Sequence, residues 1–123
     1  MNAAIEKGKA TFDFFKENWQ TMENDGYSAK FGLPTTIDEL EYIWFNPLEI
    51  KDGAIRGECA NEPVDIPNLY YREVRELSEH QVADWMIIVG DKCYGGYTIQ
   101  AMSKFAPPAE DAPKFEYIDV SEL

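Results

Sequence analysis

The chain has 123 residues, 45% apolar and 14% aromatic. That suffices for one domain with its own core and is unlike the composition of disordered chains. Eleven Lys and Arg stand against 23 Asp and Glu, a net charge of -12. This sign repels phosphate backbones and anionic lipid, so neither nucleic acid nor a membrane is expected as partner, whereas a basic protein or a cation would be attracted. No apolar run approaches a membrane span and no signal-type segment opens the chain. The expected compartment is therefore the cytoplasm, with Cys59 and Cys93 reduced and half-buried.

In chain order, Ile5, Phe12, Phe15, Trp19 and Met22 recur at helical spacing. They predict one amphipathic helix, opened by Asn2 and closed by a left-handed Gly26 after Asn24-Asp25. From Tyr27 the period changes to two. Tyr27, Ala29, Phe31 and Leu33 define one face of a strand that Pro34 ends. The run Ile37 to Asn46 has apolar residues on both faces (Leu40, Tyr42 and Trp44 on one, Ile43 and Phe45 on the other), so a central strand covered on both sides is expected. Asp52-Gly53 between apolar runs signals a tight hairpin, and Pro47 a bulge or edge in its incoming strand. After the turn at Asn61-Glu62-Pro63, Tyr71 to Leu77 reads as a strand and Ser78 to Val82 as a single helical turn. Trp85 to Val89 and Cys93 to Met102 read as the last strand pair, with Gly95-Gly96 as a bulge inside it.

The expected fold is α+β: an N-terminal amphipathic helix packed on a mostly antiparallel sheet of five or six strands, open or barrel-like. One domain would span residues 1–105. Residues 106–123 form a proline-rich acidic tail whose end, Phe115 to Leu123, either docks as a further strand or awaits a partner.

Catalytic machinery is sparse. His80 is the only histidine and lies beside Glu79, and no HExxH, CxxC, phosphate loop or EF-hand spacing occurs, so no metal and no cofactor are expected. Gly95-Gly96 is read as lying in a strand, not at a helix start, and no Lys-Ser or Lys-Thr pair follows it.

Several residue groups follow one another along the chain. They are Ala10-Thr11-Phe12 with Phe15, Ala29-Lys30-Phe31, Glu41-Tyr42-Ile43-Trp44, Gly57, Asn61-Glu62-Pro63-Val64, Asp84-Trp85-Met86 and Gly95-Gly96-Tyr97-Thr98. The set resembles the YegJ-like family of uncharacterised bacterial proteins (domain of unknown function DUF2314), over about residues 4 to 102. The resemblance implies a bacterial source and carries no activity, cofactor or catalytic residue.

These motif residues have two readings. In the structural one, Asn61 and Pro63 set a turn, Trp44 and Trp85 fill core volume, and Asp84 braces the turn before Trp85. In the functional one, Glu41, Glu62, Asp84 and Tyr97 converge near Trp44 and Trp85, with Asn61 beside them, as an acidic, aromatic-lined cleft for a cation, an amine or a basic side chain. Three functions are expected in order. The first is a non-enzymatic acidic module binding a basic protein, as an inhibitor or immunity-type protein would. The second is a small hydrolase or lyase using Asp84, Glu62 or His80. The third is an oligomer-forming subunit.

Overall fold

The computed structural model describes residues 2–103 and 114–123. In chain order its elements are α1 (Asn2–Ala10), α2 (Phe12–Asn18), β1 (Gly26–Pro34), β2 (Leu40–Lys51), β3 (Ala54–Cys59), β4 (Val74–Ser78), β5 (Val82–Val89), β6 (Lys92–Gly95), α3 (Tyr97–Ser103) and β7 (Glu116–Ile118). The fold is α+β, with seven strands rather than five or six. They are ordered β4-β3-β2-β1-β5-β6-β7 in one sheet, open rather than closed into a barrel. Two compact units share the chain: a terminal unit, Met1–Tyr27 with Asp84–Leu123, and a central unit, Ser28–Ala83. No described helix is long and apolar enough to cross a membrane.

In the terminal unit the predicted single helix is two. Thr11 interrupts it: its hydroxyl donates to the Lys7 carbonyl at 2.7 Å, a back-bond that competes with the helical ladder, and its φ of -104° leaves the helical region. The apolar stripe still does what its spacing demands. Phe12, Phe15 and Trp19 are buried, and the Phe14 ring stacks on Trp85 of β5 at 5.6 Å and on Tyr94 of β6 at 6.0 Å. Gly26 does not cap the helix, which ends at Asn18. Asn24 instead closes the following turn through its amide to the Met22 carbonyl at 2.8 Å, and Gly26 opens β1.

β5 and β6 pair antiparallel, as expected of the last hairpin, but β6 stops at Gly95. Gly95 and Gly96 both have positive φ, +84° and +67°, and turn the chain out of the sheet; Tyr97–Ser103, predicted as strand, winds into α3. A Cβ on Gly95 would lie 2.4 Å from the Trp85 carbonyl oxygen, so only glycine lets the two backbones approach this closely. The described end of the chain supplies β7, which pairs parallel with β6 from Lys92↔Glu116 to Tyr94↔Ile118. The boundary expected near residue 105 and the proline-rich stretch after it lie outside the described residues.

In the central unit β1, β2, β3 and β4 form an antiparallel run. Asp52 and Gly53, at φ +51° and +80°, make the predicted tight turn between β2 and β3. The register shifts between Pro47 and Glu49, the predicted bulge, because proline has no N–H for the ladder. β2 is hydrogen-bonded on both edges but is not covered on both faces. Ile43 and Phe45 are buried with Ile55 and Phe31, whereas Leu40 and Tyr42 face water. β4 begins only at Val74, because Tyr70 to Glu73 close a turn (Glu73 N–H to the Tyr70 carbonyl, 3.0 Å) with Arg72 at φ +70°. The single turn Glu79–Gln81 follows, closed by a reciprocal capping box between Ser78 and Gln81. Both cysteines are free and fully buried rather than half-buried.

Candidate functional site

The residues expected to build one acidic-aromatic cleft fall into two constellations, one in each unit. Glu41, Trp44, Asn61 and Glu62 belong to the central unit; Asp84, Trp85 and Tyr97 belong to the terminal unit.

Asp84 is fully buried on β5, at 0% exposure. Its Oδ1 accepts the backbone N–H of Trp85 at 2.8 Å and of Tyr97 at 3.2 Å. Its Oδ2 accepts the Thr98 N–H at 2.8 Å and the Thr98 hydroxyl at 2.6 Å. The carboxylate thus caps α3 from across the fold, satisfying donors that a helix start leaves open. Burial raises its pKa, against the opposing hydrogen bonds from Thr98, Trp85 and Tyr97. Trp85 packs edge-on to Tyr97 at 6.3 Å, and its indole N–H donates to the Thr11 hydroxyl at 3.0 Å.

Around this cluster the chain end closes a second polar group. Asp119 pairs with the Lys7 ammonium and accepts from the Tyr97 hydroxyl at 3.2 Å and the Ser121 hydroxyl at 2.7 Å. Although partial burial opposes it, bonding to Lys7, Ser121 and Tyr97 holds the Asp119 carboxyl at about 2. The Tyr117 ring lies over Gly96, where an added Cβ would be 3.2 Å from it and from the Cys93 sulfur. Burial, with the Asp84 charge nearby, pushes the Cys93 thiol up to about 11, so it is no nucleophile at neutral pH.

In the central unit Glu41 and Asn61 work in the same manner as Asp84. The Glu41 carboxylate takes the Val64 N–H on one oxygen and the Asp65 N–H on the other, both at 2.8 Å. The Asn61 side-chain oxygen accepts the Trp44 N–H at 2.7 Å. Glu62, between these anchors, is exposed. Lys30 Nζ sits 5.6 Å from the Trp44 ring centre and 5.8 Å from that of Tyr42. His80 is exposed in its turn, its backbone N–H bonded to the Ser78 hydroxyl at 3.2 Å. Among the described residues no three His, Cys, Asp or Glu side chains group as metal ligands would.

Thr11 and Thr98 stand in the motif groups without an assigned role, and Lys7 and Asp119 carry no signal in the sequence, yet the four complete the polar group around Trp85 and Tyr97. The available signal was the Gly95-Gly96 pair, which marks a chain reversal and a helix start equally well.

An α+β protein with an open sheet, whose Asp84 and Glu41 carboxylates are tied into its own backbone, is the class that fold and site define. Residues 1–115 match the family described as "Uncharacterized protein conserved in bacteria (DUF2314)". The chain therefore belongs to that family. It is similar to the uncharacterised protein YegJ of Escherichia coli strain K12, 28% identical over 110 residues that cover 89% of this chain and 71% of that protein. It is also similar to the putative ankyrin repeat protein NMB1133/NMB1171 of Neisseria meningitidis serogroup B. There the identity is 26% over 111 residues, 83% of this chain and 44% of the relative. No solved structure matches the chain.

Proposed function

We propose that the chain is a non-enzymatic binding module that engages a basic protein through its acidic surface, in the manner of an inhibitor or immunity-type protein. The observation that carries this function is the occupation of the Asp84 and Glu41 carboxylates. All four donors around Asp84 and both N–H groups on Glu41 are backbone or Thr98 groups that the fold itself presents, so neither carboxylate faces a reactant. The exposed acids, among them Asp38, Glu39, Glu49, Asp52, Glu62 and Glu76 of the central unit, remain to act as a field. The two units divide the net charge of -12 equally: 5 basic against 11 acidic residues in Ser28–Ala83, and 6 against 12 in the remainder. The name of the Neisseria relative, an ankyrin repeat protein by its printed title, fits the same function, since ankyrin repeats stack into extended binding surfaces. The setting on this proposal is the bacterial cytoplasm, where buried thiols stay reduced.

The test is capture of proteins from a bacterial lysate on the immobilised chain, at about 0.1 M and about 1 M salt, with retained proteins identified by mass. The Debye length falls from about 10 Å to about 3 Å over that range. A basic protein retained at low salt and released at high salt is the expected result. Retention of neutral or acidic proteins alone, or none at either salt, would contradict the proposal.

A further inference from the structure

Two segments of the central unit are joined by polar bonds that leave apolar side chains in water. The Thr36 hydroxyl lies 2.6 and 2.7 Å from the Asp65 carboxylate oxygens, and Glu41 holds the Val64 and Asp65 N–H groups. Asn61, bonded to the Trp44 N–H, fixes the start of the same loop, and Pro63 stiffens its middle. On this frame Val64 is 91% exposed, Ile37 67% and Leu40 56%. Ile37 adjoins Thr36, Leu40 adjoins Glu41, and Val64 itself is one of the anchored residues, so each of the three stands at or next to a bond that joins the segments. Single exposed apolar residues are ordinary, but three on two mutually bonded segments are a patch. Nothing in folding stabilises a valine held out in water by its own backbone bonds, whereas a loop already fixed in place loses little entropy on binding.

The exposed charge on the two segments is acidic, and the cation beside them, Lys30, lies over the Tyr42 and Trp44 rings. Asp38, Glu39 and Glu62 are exposed, and neither contributing stretch, residues 31–50 or 57–71, contains a Lys or Arg. We infer that this patch docks an amphipathic basic segment of a partner protein. The partner's apolar side chains lie on Ile37, Leu40 and Val64, and its Lys or Arg side chains meet Asp38, Glu39 and Glu62. The inference rests on the basic-protein function above and adds the location and the mixed chemistry of the contact. A second copy of this chain would bring like charge against like and is disfavoured by the same argument.

The probe is a synthetic amphipathic peptide of Leu and Lys, with a Leu/Glu counterpart as control, titrated into the ¹⁵N-labelled full chain while amide shifts are followed. Shifts centred on residues 36–41 and 61–65 with the Lys peptide alone are expected. Binding should weaken at least ten-fold in the Ile37→Ser/Val64→Ser variant and in the Glu39→Gln/Glu62→Gln variant. These side chains face solvent, and unchanged amide dispersion in the free variants verifies their folds. If the Lys peptide binds but shifts other residues, or both variants bind as well as the parent, the patch is wrong while the basic-protein function stands. If the Lys peptide binds no better than the Glu peptide, that function fails and the patch with it. Self-association lost in Ile37→Ser/Val64→Ser would make a second copy the occupant and overturn the inference.

Discussion

At the scale of single residues, the account turns on carboxylates that hold backbone. Asp84→Ala would strand the N–H groups of Trp85, Tyr97 and Thr98 and the Thr98 hydroxyl in a buried site. Each unsatisfied buried donor costs about 1–3 kcal/mol, so a loss of about 3 kcal/mol or more is expected in urea unfolding. Gly95 and Gly53 separate strain from contact, since both have φ near +80° but only Gly95 has atoms in the way. Gly53→Ala should cost about 1 kcal/mol, and Gly95→Ala about 3 kcal/mol or more, because its methyl meets the Trp85 backbone. Asp119 gives a pH signature. Its folded pKa of about 2 lies below the ordinary 3.8. Its stabilisation is therefore complete above about pH 3.8 and is lost as pH falls toward about 2. The stability gap between the parent and Asp119→Asn should close over that window. A gap that stayed constant to pH 2 would remove Lys7 and Ser121 as the cause. Asp84, with its pKa raised by burial, slopes the other way, losing stability as pH rises through its folded value.

At the scale of elements, what local pattern controls was legible. The apolar stripe of Phe12, Phe15 and Trp19, the alternation of Ala29, Phe31 and Leu33, the Asp52-Gly53 turn and the Pro47 bulge all follow from period or turn chemistry within a few residues. Failures came where a distant residue decides. The local pattern predicts strand where α3 forms, because its cap, Asp84, lies 13 and 14 residues before the N–H groups it binds. Apolar Leu40, Tyr42 and Trp44 predict a covered outer face for β2, but Leu40 and Tyr42 are exposed, since an apolar pattern does not itself supply an element to pack on it. Of the site, the bracing of the Trp85 N–H by Asp84 follows from local sequence, whereas Asn61, expected to bond nearby backbone in its turn, instead accepts the Trp44 N–H from β2. Neither the clasp of Glu41 on Val64 and Asp65 nor the group around Asp119 is legible there, since both join segments remote in sequence. The tail provides the element-scale prediction. Truncation after residue 113 removes β7 and the Asp119 bonds, uncovering Gly96 and Cys93. It should lower the melting temperature and speed labelling of Cys93 by a thiol reagent. Unchanged labelling would mean that β7 contributes no cover.

At the scale of the whole molecule, charge and apolar exposure have to be explained together. A net charge of -12 alone would serve solubility, and exposed Ile37, Leu40 and Val64 alone would work against it. Both follow if the surface is completed by a partner that is basic and partly apolar. Such a complex forms quickly through long-range attraction and persists through the buried apolar contact, so salt should act mainly on the association rate. The proposed function is that this chain binds a basic protein through its acidic surface, with Asp84 and Glu41 holding backbone rather than performing chemistry. The most direct measurement is the association rate of the captured partner, followed from about 0.1 M to about 1 M salt, for the parent and for Glu39→Gln/Glu62→Gln. The account predicts a steep fall in the parent's rate with salt, a shallower fall in the variant, and convergence of the two at high salt. Equal rates for both proteins, unchanged by salt, would contradict it.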